Sequence, residues 1–282
     1  SNYNSLANIS DSSCLYDVFG CIDSLASNYN PFATTDNGTC LYSSFVFGCT
    51  DTTAFNYNPL ASVDDSSCCY NSSQIWTQIG EDIDGDTTGV GSGNSVSINN
   101  NGSIIAVGTP NGNGKGYVRV YNNIGSNWIQ IGQSLEGESD YDGCGRYVSL
   151  NSNGNIVAIG SPQNDGNGSN SGQVRVFDFD GVFWNQIGQD IEGYNIDDQF
   201  GTTVSINDSG NIVAIGTPHY SGNRGHVRIY ENIVGNWTQI GQDIDGVSSN
   251  DWSGYSLSLN GIGNIVSVGA PYSSPNGGVK VF

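Results

Sequence analysis

Short runs of Val, Ile and aromatic residues, separated by Gly-, Asn- and Asp-rich turns, recur through residues 75–282. In one stretch they read Tyr147–Asn151 (YVSLN), Ile156–Gly160 (IVAIG) and Gln173–Phe177 (QVRVF), followed by Trp184–Gly188 (WNQIG). Runs of this length are strands, and the polar turns between them suit hairpins. WTQIGEDIDG, WIQIGQSLEG, WNQIGQDIEG and WTQIGQDIDG begin at Trp76, Trp128, Trp184 and Trp237, giving spacings of 52, 56 and 53. Four strands per period of this length predict a β-propeller blade. The longest stretch without strand character follows each WxQIG, as at Gln189–Gly201. That length serves to travel from the outer strand of one blade to the inner strand of the next. A blade therefore runs SVSxN, IVAIG, VRVY, WxQIG from the axis outward.

This assignment leaves Ile75–Gly80 without a blade and Gly278–Phe282 without a following WxQIG. Together they would complete a fourth blade, and closing the ring this way removes an exposed sheet edge. The expected fold is all-β: a β-propeller of four blades closed by the N-terminal strand, with a larger ring as the alternative. Arg119 and Gln130, Arg175 and Gln186, and Arg228 and Gln239 are each 11 apart. Tyr121–Trp128, Phe177–Trp184 and Tyr230–Trp237 are each 7 apart. Both sets are symmetric about one turn, which predicts cross-strand neighbours on one face. Closure then sets Phe282 opposite Trp76 and Lys280 opposite Gln78.

A second repeat family precedes the first. Residues 20–42 read GCIDSLASNYNPFATTDNGTCLY and residues 48–70 read GCTDTTAFNYNPLASVDDSSCCY, a period of 28 from Gly20 to Gly48. Residues 1–16, SNYNSLANISDSSCLY, match the second half of the same unit, so further units are expected upstream. The domains expected are a partial repeat at 1–19, repeats at 20–47 and 48–74, and the propeller at 75–282. A unit this short cannot build a core alone, so disulfides are the expected staple. Cys21–Cys40 and Cys49–Cys68 within units is the preferred scheme, because each unit carries one Cys near each end. Links between neighbouring units, Cys14–Cys21 and Cys40–Cys49, remain open. Cys69 and Cys144 depart from the repeat and are expected to pair with one another. Zinc is disfavoured: there is no CxxC, and His219 and His226 lie far from the cysteines.

The run Phe200–Tyr230, FGTTVSINDSGNIVAIGTPHYSGNRGHVRIY, resembles the FG-GAP repeat of integrin-α-type propellers. It shares Phe-Gly before a strand, Gly-x-Pro after the next and a Val-aromatic strand last. The resemblance spans roughly residues 75–282 and implies a β-propeller in an extracellular adhesion or scaffold protein. Its calcium loop does not carry over, because the turns Asn99–Ser103 and Asn207–Asn211 hold too few carboxylates. The family's usual seven blades also differ from the four expected here. The N-terminal units resemble GCxDxxAxNYNPxAxxDDGSCxY repeats of secreted microbial and viral surface proteins.

Charge narrows the function. Lys and Arg number 7 against 27 Asp and Glu, a net charge of −20, which opposes nucleic acid and anionic membranes. No apolar run is long enough to span a bilayer. The stretch from Ser1 to Gln74 is rich in Asp and holds no Lys, Arg or Glu. Asp36, Asp64 and Asp65, in the repeats, and Asp82, Asp84 and Asp86, at alternate positions, are the calcium candidates, against a reading as turn formers. Asp142, Asp198 and Asp251 each precede a Gly by three residues and would ring the axial mouth, or cap loops. Sequons occur at Asn8, Asn37, Asn71, Asn101, Asn167, Asn207 and Asn236. There is no HExxH, GxSxG or P-loop. The expected protein is an extracellular structural or adhesive surface protein, a filament or appendage subunit whose partners are its own copies or other surface proteins. A glycan-binding propeller, suggested by loops such as Asn250–Tyr255, is the alternative; a secreted hydrolase is the third reading.

Overall fold

The computed structural model describes Leu6 and residues 17–41, 46–54, 56–68 and 77–282. The chain divides into two compact units, Ser1–Thr77 and Gln78–Phe282.

In the first unit the two full repeats fold alike. Disulfides join Cys21 to Cys40 and Cys49 to Cys68. Strand β1 (Phe19–Gly20) pairs in parallel with β2 (Thr35–Asp36), and a bridge joins Phe47 to Val63 at the matching place. Among the described residues little besides glycine is buried: Cys21, Ala26, Cys49 and Ala54. The rest is held by side chains that bond their own backbone two residues on. Asp23 accepts from Leu25 N, Asn30 from Phe32 N, Asp51 from Thr53 N and Asn58 from Leu60 N. These turns give Asp and Asn at fixed repeat positions a structural reason.

The second unit holds four antiparallel sheets in chain order. The first contains β3 (Ser95–Ile98), β4 (Ile104–Thr109), β5 (Tyr117–Ile124), β6 (Asn127–Gln130) and β7 (Leu135–Glu136). The second contains β8 (Tyr147–Leu150), β9 (Ile156–Ser161), β10 (Gln173–Phe179), β11 (Trp184–Gln186) and β12 (Ile191–Glu192). In the third, β13 (Thr203–Ile206), β14 (Ile212–Thr217), β15 (His226–Ile233) and β16 (Asn236–Asp245) lie in sequence order. The fourth has only β17 (Ser256–Leu259), β18 (Val266–Ala270) and β19 (Gly278–Val281). Strand order within each sheet is the one expected from the loop lengths.

The inner strands β3, β8, β13 and β17 pack one on the next. The Ser at the centre of SVSI-type strands explains this contact. Leu150 N donates to Ser97 Oγ (2.9 Å), Ile206 N to Ser149 Oγ (3.1 Å) and Leu259 N to Ser205 Oγ (3.0 Å). Apolar side chains fill the space between sheets. Val157, Ile159 and Trp184 pack with Val118 and Val120, and one sheet later Val213, Ile215 and Trp237 pack with Val174 and Val176.

Two expectations require correction. The hairpin register differs by two residues: Tyr121, not Arg119, faces Gln130, and Asn123, not Tyr121, faces Trp128. Phe177 likewise faces Gln186, and Tyr230 faces Gln239. The turn decides this. Gly125 and Ser126 both take positive φ (60° and 67°), as do Val234 and Gly235 (52° and 81°), which centres each two-residue hairpin one position later. The closure of the ring is also not shown among the described residues. There β19 pairs only with β18, Lys280 faces Val268 and not Gln78, and β17 packs on β13 with no comparable contact to β3. Gln78–Gly80 instead lie beside the first sheet, where Ile79 O accepts a hydrogen bond from Trp128 Nε1 (2.9 Å). Trp76, the expected partner of Phe282, lies outside the described residues.

Candidate functional site

An aromatic group stands where the third sheet meets the fourth. Trp252 lies in the linker between them, at a positive φ of 57°. Its ring meets His219 at 4.8 Å, Tyr272 at 5.3 Å and Tyr255 at 5.8 Å between centroids. The repeat positions these residues: His219 and Tyr272 each follow the Pro that ends the second strand of a sheet, Pro218 and Pro271. Tyr255 and Tyr272 are exposed and Trp252 and His219 half-buried. Asn223 Oδ1 orients the His219 ring through Nδ1 (3.1 Å). Beside His219 opens a cleft of about 510 Å³ lined by Asn195, Asp197, Asp198, Tyr220 and Gly222. Apolar ring faces next to carboxylates and amides are what a sugar ring requires, with CH groups on its faces and hydroxyls on its rim.

A second cluster lies on β15 and β16. His226 faces Asp245 across the pair, and ring nitrogen and carboxylate oxygens of His226, Asp243 and Asp245 all fall within 4.8 Å of one another. His226 is buried with neither ring nitrogen hydrogen-bonded. Burial, with Arg228 nearby, holds its pKa down at about 4, so the ring is neutral at neutral pH. One His and two carboxylates could hold a divalent cation. The carboxylates, however, are already engaged. Arg228 donates to both oxygens of Asp243 (3.0 and 2.8 Å), whose pKa it lowers, and Arg224 lies 3.5 Å from Asp245. Two acids against two guanidiniums leave the cluster balanced without an ion.

Comparison with known proteins adds little. No family model matches the chain, and no curated protein does. Among solved structures, the chain is similar to hydrazine synthase from Kuenenia stuttgartiensis, at TM-score 0.47 and 10% identity, over 73% of this chain and 49% of that one. It is also similar to a Bacteroides uniformis protein assigned as a 6-phosphogluconolactonase, at 0.43 and 12%, over 66% and 52%. A third similarity is to an Agrobacterium tumefaciens protein assigned as TolB, at 0.41 and 10%, over 66% and 56%. The chain spans about half the length of each.

The residues singled out by sequence fall mainly into structural roles. Asp36, Asp64 and Asp65 accept from Gly38 N, Ser66 N and Ser67 N, each within its own turn. Asp86 is paired with Arg119 at 2.6 and 2.7 Å, and the arginine holds its carboxyl below the usual range. Asp82 accepts from Gln78 (2.8 Å). Among the described residues, these carboxylates, Asp84 included, are not gathered round a common point. Asp142 accepts from Glu138 N and Ser139 N, and Asp251 from Val247 N and Ser248 N, so these buried acids cap linkers. Asp198 accepts from Asn195 (2.7 Å).

Cys144 is corrected: it is a free, fully buried thiol, not the partner of Cys69, which lies outside the described residues. Burial raises its pKa, and its Sγ sits against Leu135 O. The sequon at Asn207 is also spent, because this buried amide donates to Ser209 and Asn211 and has no room for a glycan. Asn37, Asn101, Asn167 and Asn236 are exposed, while Asn8 and Asn71 lie outside the described residues. The sequence alone does not single out His219 and Tyr272; aligning the repeats at the Gly-x-Pro or Ala-Pro step would set both beside Trp252.

Proposed function

We propose that this chain is an extracellular structural or adhesive surface protein of the FG-GAP propeller type, whose copies assemble into a filament or appendage. The observation that carries the reading is repetition at the level of bonds. The same serine-to-amide contact joins three successive pairs of sheets, ahead of which stand units stapled by one disulfide each. Such an array offers length and surface, and disulfides suit an oxidising medium. No helix among the described residues is long and apolar enough to cross a membrane. Electron microscopy of native material tests the reading: regular fibres containing the chain are expected, and dispersed monomers together with normal attachment after gene deletion would reject it.

The aromatic group favours a second reading, glycan binding. Trp252, Tyr255 and Tyr272 offer stacking faces beside the cleft that holds Asp197 and Asn195. A glycan array should then show binding that Trp252→Ala abolishes, and a blank array would discard it.

A further inference from the structure

The outer edge of the fourth sheet is an unfilled tryptophan seat. Between the other sheets, one contact recurs. Trp128, Trp184 and Trp237 donate Nε1 to the main-chain oxygens of Ile79 (2.9 Å), Ile131 (3.0 Å) and Ile187 (2.8 Å) in the preceding WxQIG. Each indole covers the next Gly: a Cβ at Gly80, Gly132 or Gly188 would lie 3.3, 2.5 or 3.1 Å from the indole Cδ1. Gln133 and Gln189 then clamp the main chain of Trp184 and Trp237, donating to O (2.7 Å in both) and accepting from N (3.0 Å in both).

The fourth member of the series, Ile240-Gly241-Gln242, has none of this. Nothing lies within 4 Å of a Cβ at Gly241. Gln242 makes no side-chain hydrogen bond among the described residues. Instead there is a cleft of about 310 Å³, lined by Ile229, Ile240, Ile244, Leu259, Val266 and Phe282. Two features extend the vacancy. Gly278–Val281 is an exposed edge, and Lys280, at the position where Arg119, Arg175 and Arg228 find acids, has no acid partner among the described residues. On the inner strand, Ser258 holds the place of Ser97, Ser149 and Ser205 with no amide bonded to its hydroxyl among the described residues.

We propose that this seat takes the Trp76–Gly80 segment of a second copy of this chain, with Trp76 in the cleft and residues 78–84 added along β19. The register seen in the other hairpins puts Gln78 opposite Phe282. Asp82 stands where Asp243 does and so meets Lys280, acid to base. The first sheet of the incoming copy supplies the matching inner face: β3, with Val96 69% and Ile98 60% exposed, and an Ile98 amide for Ser258. The chain's own segment does not serve, because Trp128 and the Arg119–Asp86 pair hold it to a first sheet that, among the described residues, has no comparable packing on the fourth. The union is strand addition to an open edge, head to tail. It deepens the assembly reading above and rests on it for biological meaning.

Variants of the full chain that each add one cysteine, Gln78→Cys and Phe282→Cys, mixed under mild oxidation, test it against the unsubstituted chain oxidised in the same way. A covalent dimer specific to the mixture is expected, absent when either variant is oxidised alone. Trp76→Ala, whose seat is not needed for the other sheets to fold, should weaken self-association about thirtyfold, by loss of a buried aromatic anchor. A mixture that stays monomeric overturns the proposal, as does a double variant that forms only an internal link. A closed, doubly linked dimer upholds the seat but overturns the filament, whereas native fibres without the cross-link uphold the filament and overturn the seat.

Discussion

The two units of this chain solve one problem in opposite ways. A repeat as short as Gly20–Phe47 has almost no interior, and the described residues of the N-terminal unit bury few apolar side chains besides Cys21, Ala26, Cys49 and Ala54. Its order comes from a covalent bridge and from carboxylates that turn the backbone. The longer period, from one WxQIG to the next, makes a whole sheet, and the second unit buries Val from each sheet, joined by Ile and Trp from the second and third, between neighbouring sheets. The lesson concerns scale: below a certain repeat length, bonds made within a repeat must replace contacts between repeats.

Reduction should separate the two regions most sharply. Each bridge closes a sequence separation of 19, worth about 3 kcal/mol in the chain-entropy view, which a unit with so little core cannot lose. Dithiothreitol is expected to unfold the first unit while the second keeps its strand circular dichroism; joint unfolding would erase the comparison. Trp237→Ala should act only on the second unit, costing about 3–5 kcal/mol, by removing a buried indole and its bond to Ile187. Urea melting reads this directly.

Acid sharpens the contrast next. His226 has a folded pKa of about 4 against an ordinary 6.5, so above 6.5 neither state binds the proton. As pH falls from about 6.5 to 4, only the unfolded chain takes it up, and the second unit loses about 3 kcal/mol. The stretch from Ser1 to Gln74 holds no His, so the first unit should be indifferent in this window. His226→Gln, which copies Gln173 at the same place in the second sheet, should flatten the dependence; an unchanged slope would refute the assignment to His226. The smallest effect expected is from Ser149→Ala, about 1 kcal/mol, as Ile206 N loses its acceptor between sheets.

Much of this is legible in the sequence. Strand order, the sheet repeat and the stapled units follow from periodicity and the placing of Cys. Other features are not, for physical reasons. Equal spacings of 11 and 7 show that three hairpins share one register, but only the positive φ at Gly125 and Ser126 says which. Runs of Asp look the same whether they turn a chain or bind a cation; the difference at Asp86 is one arginine, distant in sequence, at position 119. The seat at Gly241 is invisible in sequence because all four WxQIG motifs read alike, and what distinguishes the last is the neighbour that it lacks. Trp252 is visible in its loop, but His219 and Tyr272 come from different sheets.

Cys144 has a consequence of its own. A thiol sealed between Leu135 and Arg175 is silent to alkylating reagents while the sheets hold, and becomes reactive when they part. Where exported chains are bridged as they fold, any copy whose second unit lags would expose a competing sulfur to Cys21, Cys40, Cys49 and Cys68. Correct bridging in the first unit would then depend on how promptly the second unit packs.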